Sequence, residues 1–321
     1  MEKDGGKKLY IGIGINQFDG RALLVREDQK IMMEIHKPVG AAGVNETLKS
    51  LLDLIDEMLA KTAKRKDDIA GIGVAVGGIV DSCKGVVYWP QKKDGACVYT
   101  AMPLRNYLEK RFGFSVAIYN DASACAWAEH ATVFPKSRNL IYLFSGLGCG
   151  IIAEGKLYSG RDGKAGELFV SPAKVMSSTL GDFSFLKPWP ADLNMVARAK
   201  QMISLGANSS LLNRVSSTGE LKIKDIFDEF KKKDKVARQI VKEAALALGV
   251  KAAFLVNLFN PEVLVLGGGL EDAGEAFLEE CGAAVREFAF SEMSGGLKIT
   301  LSSLGRRGAA LGAALLTGPV S

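Results

Sequence analysis

The chain has 321 residues, 48% of them hydrophobic, and its formal net charge is +5 at pH 7. This length and composition predict about two ordinary domains with substantial cores and exclude a disordered chain. No apolar run approaches the roughly 20 residues that cross a bilayer, and the N-terminus lacks the apolar segment of a signal peptide. The five cysteines are scattered and form no CxxC pair, which argues against a disulfide framework. We therefore expect a soluble, cytoplasmic protein without a membrane partner.

The basic excess is mild and has one dense cluster. Lys231, Lys232, Lys233 and Lys235 lie in a helical stretch that is also rich in Asp and Glu. Mixed charge of this kind is typical of a solvated helix surface, and it favours that interpretation over a nucleic-acid patch.

The first third of the chain predicts three short strands, a helix and a buried strand. Residues 9–15, 22–25 and 30–36 are rich in Ile, Leu, Val and Met and are separated by turn residues, so we expect antiparallel hairpins. Asn45 is a candidate N-cap for an amphipathic helix that follows. Residues 69–76 lack polar alternation, which predicts a strand buried on both faces.

The central part continues with alternating helices and strands. Pro103 precedes a short predicted helix that ends at Phe112, and residues 115–119 predict a strand that leads into a helix near Asp121. Residues 139–144 predict another strand, and Glu154–Gly155 a tight hairpin turn. The segment 172–190, with three prolines, is the most loop-like part of the chain.

The last part is mainly helical from residue 191 to residue 259, with breaks near Ser209 and at 216–219. A strand at 262–266 ends in three glycines, and a final strand (298–301) and helix (309–316) follow. Both halves thus begin with hairpins and continue with alternating strands and helices, which predicts two related α/β domains facing each other across a cleft.

Asp121 is the leading candidate for chemistry, because it stands between a buried strand and a helix. α/β proteins place ligands at this edge of a sheet, and an ionised carboxylate there can accept a proton from a substrate hydroxyl. A simple helix cap is the alternative, and the local pattern by itself favours the cap.

The glycine-rich turns leave alternatives open. Residues 146–150 are spaced GxGxG, so they match neither the dinucleotide fingerprint nor the P-loop. A phosphate cradle and a glycine-packed hairpin fit this stretch equally well. The glycines at 267–269 fit an adenine-facing turn or a plain tight turn. In residues 160–167 a carboxylate follows a polar loop and can bind a polyol, although a solvated turn is the commoner explanation.

The histidines do not indicate a hydrolase. His36 and His130 are the only two in the chain, and neither has recognisable spacing to a Ser or Cys nucleophile. We expect both to be surface residues.

Taken in order, several segments resemble the ROK family, which groups bacterial sugar kinases with sugar-responsive repressors. Each segment alone is weak evidence, whereas the ordered set spans nearly the whole chain. The segments that carry the resemblance are residues 71–81, 103–124, 139–142, 148–160, 163–167, 255–269 and 308–312.

The resemblance implies a two-domain actin-like (ribonuclease H-like) ATPase fold with an interdomain cleft, and we expect domains at 1–119 plus 306–321 and at 120–305. It implies Asp121 as the catalytic base, with the sugar held by Asn120, Glu167 and Gly78. It also implies that one glycine loop binds the ATP phosphates and a second glycine loop contacts the adenosine. These nucleotide positions are Ser145, Gly146 and Gly148 in the first loop and Gly267, Gly268 and Gly269 in the second.

Three departures from the family pattern bear on activity. The family's first hairpin carries Asp-x-Gly-Gly-Thr, but here residues 14–18 read Gly-Ile-Asn-Gln-Phe. A carboxylate that would help hold Mg²⁺ is therefore missing, which makes a role for Mg-ATP doubtful. No Cys lies between Cys149 and Cys281, and Val170 stands where the family has a histidine just after the glutamate, so we expect no zinc and an altered sugar pocket. The strand before the second phosphate loop is about two residues short of the usual kinase pattern.

These observations predict a sugar-binding relative that is non-catalytic or weakly catalytic and serves sensing or an assembly. The alternative is an active ATP-dependent hexose or amino-sugar kinase, and a scaffold without a small ligand is a minor third possibility. Only Met1 to Lys8 precede the first predicted strand, so we expect no winged helix-turn-helix and no direct DNA binding. The resemblance also suggests a homodimer.

Overall fold

The computed structural model describes residues 7–16, 19–39, 44–93, 96–144, 148–168, 191–213 and 221–318. Packing divides the chain into two compact units. The first unit comprises Met1–Arg138, Gly150–Glu167 and Ser303–Ser321, and the second Asn139–Cys149 and Leu168–Ser302. These units group residues by their contacts and do not define evolutionary or folding domains. The domain boundary expected between residues 119 and 120 therefore stays a prediction. None of the helices described is long and apolar enough to span a bilayer.

The first unit is built on a mixed five-stranded sheet. Its strand order is β3-β2-β1-β4-β8; β1, β2 and β3 are antiparallel, and β4 and β8 run parallel to β1. The strands are β1 (Leu9–Ile15), β2 (Asp19–Arg26), β3 (Ile31–Pro38), β4 (Ile69–Val76) and β8 (Val116–Asn120). This confirms the predicted hairpins and the predicted buried strand at 69–76.

Helices cover both faces of this sheet. The helices of the unit are α1 (Val44–Lys61), α2 (Leu104–Phe112), α3 (Asp121–Thr132) and α9 (Gly308–Thr317). Ile11 and Ile13 of β1 share a core with α1, whereas Tyr10 joins the cluster around α9, as expected when successive side chains of a strand alternate between its faces. Asn45 is not the N-cap that we expected, because α1 already begins at Val44.

Glycines let α9 lie directly on the sheet. A Cβ on Gly12 would come within 2.0 Å of the Ala310 carbonyl oxygen, and one on Gly73 within 2.1 Å of the Ala313 oxygen. Side chains at these strand positions would hold the helix away from the sheet, so the close approach requires glycine.

A second, antiparallel sheet in this unit was not predicted. It has the order β5-β6-β7, formed by β5 (Ile79–Asp81), β6 (Val86–Lys93) and β7 (Ala96–Met102). Polar residues interrupt this stretch of sequence, which hides the strand pattern. A further hairpin joins β10 (Gly148–Ala153) to β11 (Lys156–Leu157) through Glu154 and Gly155, both at positive φ, which confirms the predicted turn.

Among its described residues, the second unit contains three parallel strands, a helical stretch at residues 211–213 and five longer α-helices. β12 (Val263–Gly267) lies between β9 (Leu140–Phe144) and β13 (Lys298–Leu301). The helices are α4 (Ala191–Ser204), α5 (Ile223–Lys231), α6 (Lys235–Phe259), α7 (Glu275–Phe288) and α8 (Ser291–Ser294). Gly249 of α6 allows α7 to approach closely, because a Cβ there would lie 2.4 Å from the Ala284 Cβ.

Some predictions fall on residues that the structure does not describe. The loop-like segment 172–190, the break at 216–219, Ser145, Gly146 and Val170 all lie outside the described residues.

Candidate functional site

The junction between β8 and α3 places Asp121 beside a capped helix start. Asn120 is the N-cap residue, since its Oδ1 accepts hydrogen bonds from the N–H groups of Ala122 and Ser123 at 2.9 and 3.3 Å. The interpretation of Asp121 as the cap is therefore wrong, although its Oδ1 also accepts from Ala122 N–H at 2.8 Å. Because Asn120 caps the helix, Asp121 occupies its first turn, near the positive end of the helix dipole.

Gly77 and Gly78 bring the end of β4 next to this junction. Val76 pairs in register with Asn120, so the carboxyl ends of two parallel strands meet there. A Cβ on Gly77 would lie 3.3 Å from Asp121 Oδ2, and Gly78 has φ +107°, which favours glycine. The Asn120 Nδ2 donates to the Gly78 carbonyl oxygen at 3.2 Å. Within the described part of the chain, the second N–H of the Asn120 side-chain amide has no other partner and remains for a ligand.

Asp121 and Glu167 form an electrostatically coupled pair of carboxyls. Burial raises the pKa of Asp121 to about 6, and this effect outweighs the amide hydrogen bonds that favour its charged form. Glu167 is exposed as a residue, yet loss of water around its carboxyl and the charge of Asp121 raise its pKa to about 7. At Glu167 the charge of Asp121 adds to the loss of water, because like charges disfavour double ionisation.

The loop that carries Glu167 is held to the β5–β6 turn by a lysine that the sequence interpretation did not single out. Lys164 Nζ lies 2.8 Å from the buried Asp81 and 2.6 Å from Asp162. Asp81 also accepts from Lys84 N–H at 2.9 Å, and the pKa of its carboxyl is lowered, mainly by Lys164. The loop at 160–167 is therefore not the solvated turn that we expected, because Lys164 holds it to Asp81. The sequence signal for this contact was an Asp that follows shortly after the glycine pair Gly77-Gly78.

The glycine turn after β12 uses two of its N–H groups within the protein. Gly268 N–H donates to the Tyr142 hydroxyl at 3.2 Å, and Gly269 N–H to Glu271 Oε2 at 2.7 Å. Gly268 and Gly269 both have positive φ, so this is a tight turn after β12. Gly148 begins β10. The Glu271 carboxylate that accepts from Gly269 N–H occupies the place that an anionic ligand would need.

The first hairpin does not fit Mg-ATP in its described part. Asn16 N–H donates to the Asp19 carbonyl oxygen at 3.0 Å, and Asp19 N–H to Asn16 Oδ1 at 2.9 Å. The Asp19 carboxylate pairs with Arg21 and His36. At Gly14, where the family's carboxylate would stand, a Cβ would lie 2.8 Å from Ala310 N. The described hairpin therefore offers neither free amides for phosphate nor a free carboxylate for Mg²⁺.

Two further observations concern metals and histidines. Among the described residues, no group of three or more His, Cys, Asp or Glu side chains could hold a metal ion; the expected absence of zinc stays a prediction. His130 is buried, with its ring centroid 5.5 Å from that of Trp127, so its expected surface position is wrong.

Comparison with known proteins points to one family. The sequence model described as "ROK family" matches residues 10–318. A xylose repressor of Caldicellulosiruptor bescii is 30% identical over 97% of this chain and 78% of its own length. A glucokinase of Halalkalibacterium halodurans is 28% identical over 82% of this chain and 80% of its own.

A solved structure extends this likeness to the fold. The ROK family glucokinase from Streptomyces griseus, in complex with glucose and AMPPNP, superposes with a TM-score of 0.74. It is 25% identical, over 96% of this chain and 98% of its own. This likeness confirms the predicted α/β actin-like ATPase fold.

Proposed function

Because the chain belongs to the ROK family, we propose that it binds a sugar-like ligand at Asp121, Asn120, Gly78 and Glu167 and serves sensing or an assembly, with little or no kinase activity. The observation that carries this proposal is the contrast between two sets of residues. Polar groups on the sugar side remain for a ligand, while the described amides of the first hairpin and of the turn after β12 bond within the protein.

The sugar side has the chemistry that a polyol needs. Carboxylates accept hydrogen bonds from hydroxyls, and the remaining N–H of Asn120 can donate one. Since the pKa of Glu167 lies near 7, this carboxyl is partly protonated at neutral pH and can both donate and accept. A neutral sugar with adjacent hydroxyls suits a site of this kind better than an anion, which the two carboxyls would repel.

The nucleotide side supports weak or absent catalysis. Phosphoryl transfer depends on Mg²⁺ and on donors that neutralise the phosphates. Here Gly14 replaces the carboxylate, the Asn16 and Asp19 amides bond within the hairpin, and Glu271 takes the Gly269 N–H. Each of these three features removes a contact that a nucleotide or its metal ion would use.

The second candidate is an active ATP-dependent hexose or amino-sugar kinase. Asp121 favours it, because a carboxyl with a pKa of about 6 is ionised at neutral pH and can take a proton from a sugar hydroxyl. The glucokinase relative is compatible with this alternative, just as the xylose repressor relative is compatible with sensing.

The proposal does not include direct contact with DNA. Within the basic cluster, Lys232 pairs with Glu229 at 2.8 Å and Lys231 donates to the Asp272 carbonyl oxygen at 3.0 Å. These contacts support the solvated-surface interpretation.

We also propose a cytoplasmic homodimer with domains at 1–119 plus 306–321 and at 120–305, on the strength of the family resemblance.

Thermal-shift measurements and calorimetry test the proposal. Glucose, xylose, mannose and N-acetylglucosamine are each added with and without Mg-ATP, and ADP release is measured in parallel. We expect at least one sugar to raise the melting temperature, no further rise with Mg-ATP, and loss of the sugar effect in Glu167→Gln but not in the exposed control Glu46→Gln. Sugar-dependent ADP release that disappears in Asp121→Asn would instead establish the kinase. If no sugar binds, the sugar site itself is refuted.

A further inference from the structure

A cavity of about 550 Å³ lies in the first unit beside α3. Neither Asp121 nor Glu167 lines it, although Asn120 of the proposed sugar site does. Its size is typical of small-molecule sites, which span about 300–1,000 Å³. Asn120, Ser123 and Trp127 form one wall, and their spacing of three and four residues places them on one face of the helix start.

Another part of the wall comes from the β10–β11 hairpin and the loop after it. Leu157 and Ser159 line the cavity there, and Gly163 approaches Ser82 so closely that a Cβ would lie 2.6 Å from the Ser82 Oγ. Tyr119 and Leu316 also line the cavity, and the Tyr119 hydroxyl donates a hydrogen bond to the Leu316 carbonyl oxygen at 2.8 Å. The cavity is thus bounded by elements that pack against one another.

The lining is chemically suited to a second sugar ring. Trp127, Tyr119, Leu157 and Leu316 supply aromatic and aliphatic surface, against which the C–H face of a pyranose can pack. The hydroxyls of Ser82, Ser123 and Ser159 also line the cavity, and none of them hydrogen-bonds to another group within the described part of the protein.

The charge of the lining narrows the ligand class. Among the described residues that line the cavity, Lys156 has the only charged side chain, and it is exposed. A buried site for an anion would carry more donors with positive charge, and a site for a cation would carry a carboxylate. Neutral hydroxyl groups are therefore the best match.

The cavity and the proposed sugar site share their supporting elements. Asn120 directly precedes Asp121, Ser82 directly follows the Asp81 that binds Lys164, and Gly163 lies in the loop that ends at Glu167. We propose that this cavity binds the second unit of a disaccharide or larger glycoside whose first ring lies at Asp121 and Glu167. The inference rests on the proposed function and extends it from a single sugar ring to a longer carbohydrate.

Calorimetry with matched sugars tests this inference. Glucose, xylose and N-acetylglucosamine are compared with cellobiose, maltose, xylobiose and chitobiose. We expect one disaccharide to bind about tenfold more tightly than its monosaccharide, with one molecule per chain. Leu157→Trp fills the cavity and should abolish this gain, leaving monosaccharide affinity within about twofold. Tyr158→Trp is the matched control, because Tyr158 is exposed and does not line the cavity.

The outcomes separate the inference from the proposed function. A monosaccharide that binds while no disaccharide binds more tightly, or a gain that survives Leu157→Trp, overturns the cavity assignment alone. Two monosaccharide molecules per chain overturn it too, because they indicate a separate site. Ser159→Phe is a second cavity-filling variant in case Leu157→Trp fails to fold. If neither class of sugar binds the unmodified chain, the proposed function fails together with the inference.

Discussion

Lys164 Nζ lies 2.8 Å from Asp81 Oδ2, although the two residues are 83 positions apart in sequence. This ion pair joins the loop that ends at Glu167 to the turn that follows Gly77 and Gly78. Because Asp81 is almost fully buried, its carboxylate depends on Lys164 and on one backbone N–H for compensation.

Lys164→Ala should therefore weaken both the fold and the proposed site. Loss of one partner of a buried charge leaves the other uncompensated, so we expect a lower free energy of unfolding. Sugar affinity should fall about fivefold to tenfold as the Glu167 loop loosens. Chemical denaturation and calorimetry measure the two effects.

Two variants separate positioning from a general charge effect in that experiment. Lys164→Arg keeps a cation and should recover most of the affinity. Lys84→Ala removes a lysine of the same turn whose side chain makes no ion pair among the described residues, although its charge also favours ionised Asp81, and it should change both quantities much less than Lys164→Ala. Equal losses in Lys84→Ala and Lys164→Ala would contradict the positioning role.

Asp121→Asn should stabilise the protein at high pH. The pKa of Asp121 rises from 3.8 in its ordinary state to about 6 in the fold, so the folded protein holds its proton more tightly than the unfolded chain does. Stability from this group is therefore full below pH 4 and is lost as the pH rises towards 6. At 1.36 kcal/mol per unit of pKa, the penalty above pH 6 is on the order of 1–3 kcal/mol.

Thermal denaturation between pH 4 and pH 8 tests this prediction. Asp121→Asn should match the unmodified protein at pH 4 and exceed it at pH 8, whereas the exposed control Asp53→Asn should follow the unmodified protein throughout. An equal melting temperature for Asp121→Asn and the unmodified protein at pH 8 would show that the carboxyl is not desolvated.

Gly14→Asp should not restore kinase activity. A Cβ at this position would lie 2.8 Å from Ala310 N and 2.9 Å from the Ala309 Cβ, so α9 occupies the space that the carboxylate needs. We expect a destabilisation of about 1–3 kcal/mol from overpacking and no sugar-dependent ADP release. Gly296→Asp is the control, because a Cβ there meets no atom within 4 Å. Sugar-dependent ADP release by Gly14→Asp would contradict this prediction, because it would show that the hairpin can accept the carboxylate and support Mg-ATP binding.

Gly163→Ala and Gly155→Ala should separate backbone strain from loop docking. Both residues have positive φ, +93° and +76°, so either substitution costs about 1 kcal/mol of strain. Only Gly163 faces a second obstacle, the Ser82 side chain at 2.6 Å, whereas nothing lies within 4 Å of a Cβ on Gly155. We expect Gly163→Ala to lose clearly more stability in urea denaturation, and equal losses would mean that the loop is not packed against Ser82.

Sequence by itself determined the order of most elements and the family. Short apolar runs marked β1 and β12, a run without polar alternation marked β4 as buried on both faces, and glycine turns marked the ends of β4 and β12. The segments around Asn120, Glu167 and the glycines of 267–269 were specific as an ordered set, since local residue types record what each turn requires.

Tertiary structure alone decided which polar groups remain for a ligand. The cap on α3 is Asn120 rather than Asp121, the Gly269 N–H is taken by Glu271, and Lys164 reaches Asp81 across the sheet edge. The small β5–β7 sheet and the cavity beside Trp127 likewise appear only in the fold. The physical reason is that hydrogen bonds, desolvation and close packing depend on distances between residues far apart in the chain, and local sequence patterns do not encode those distances.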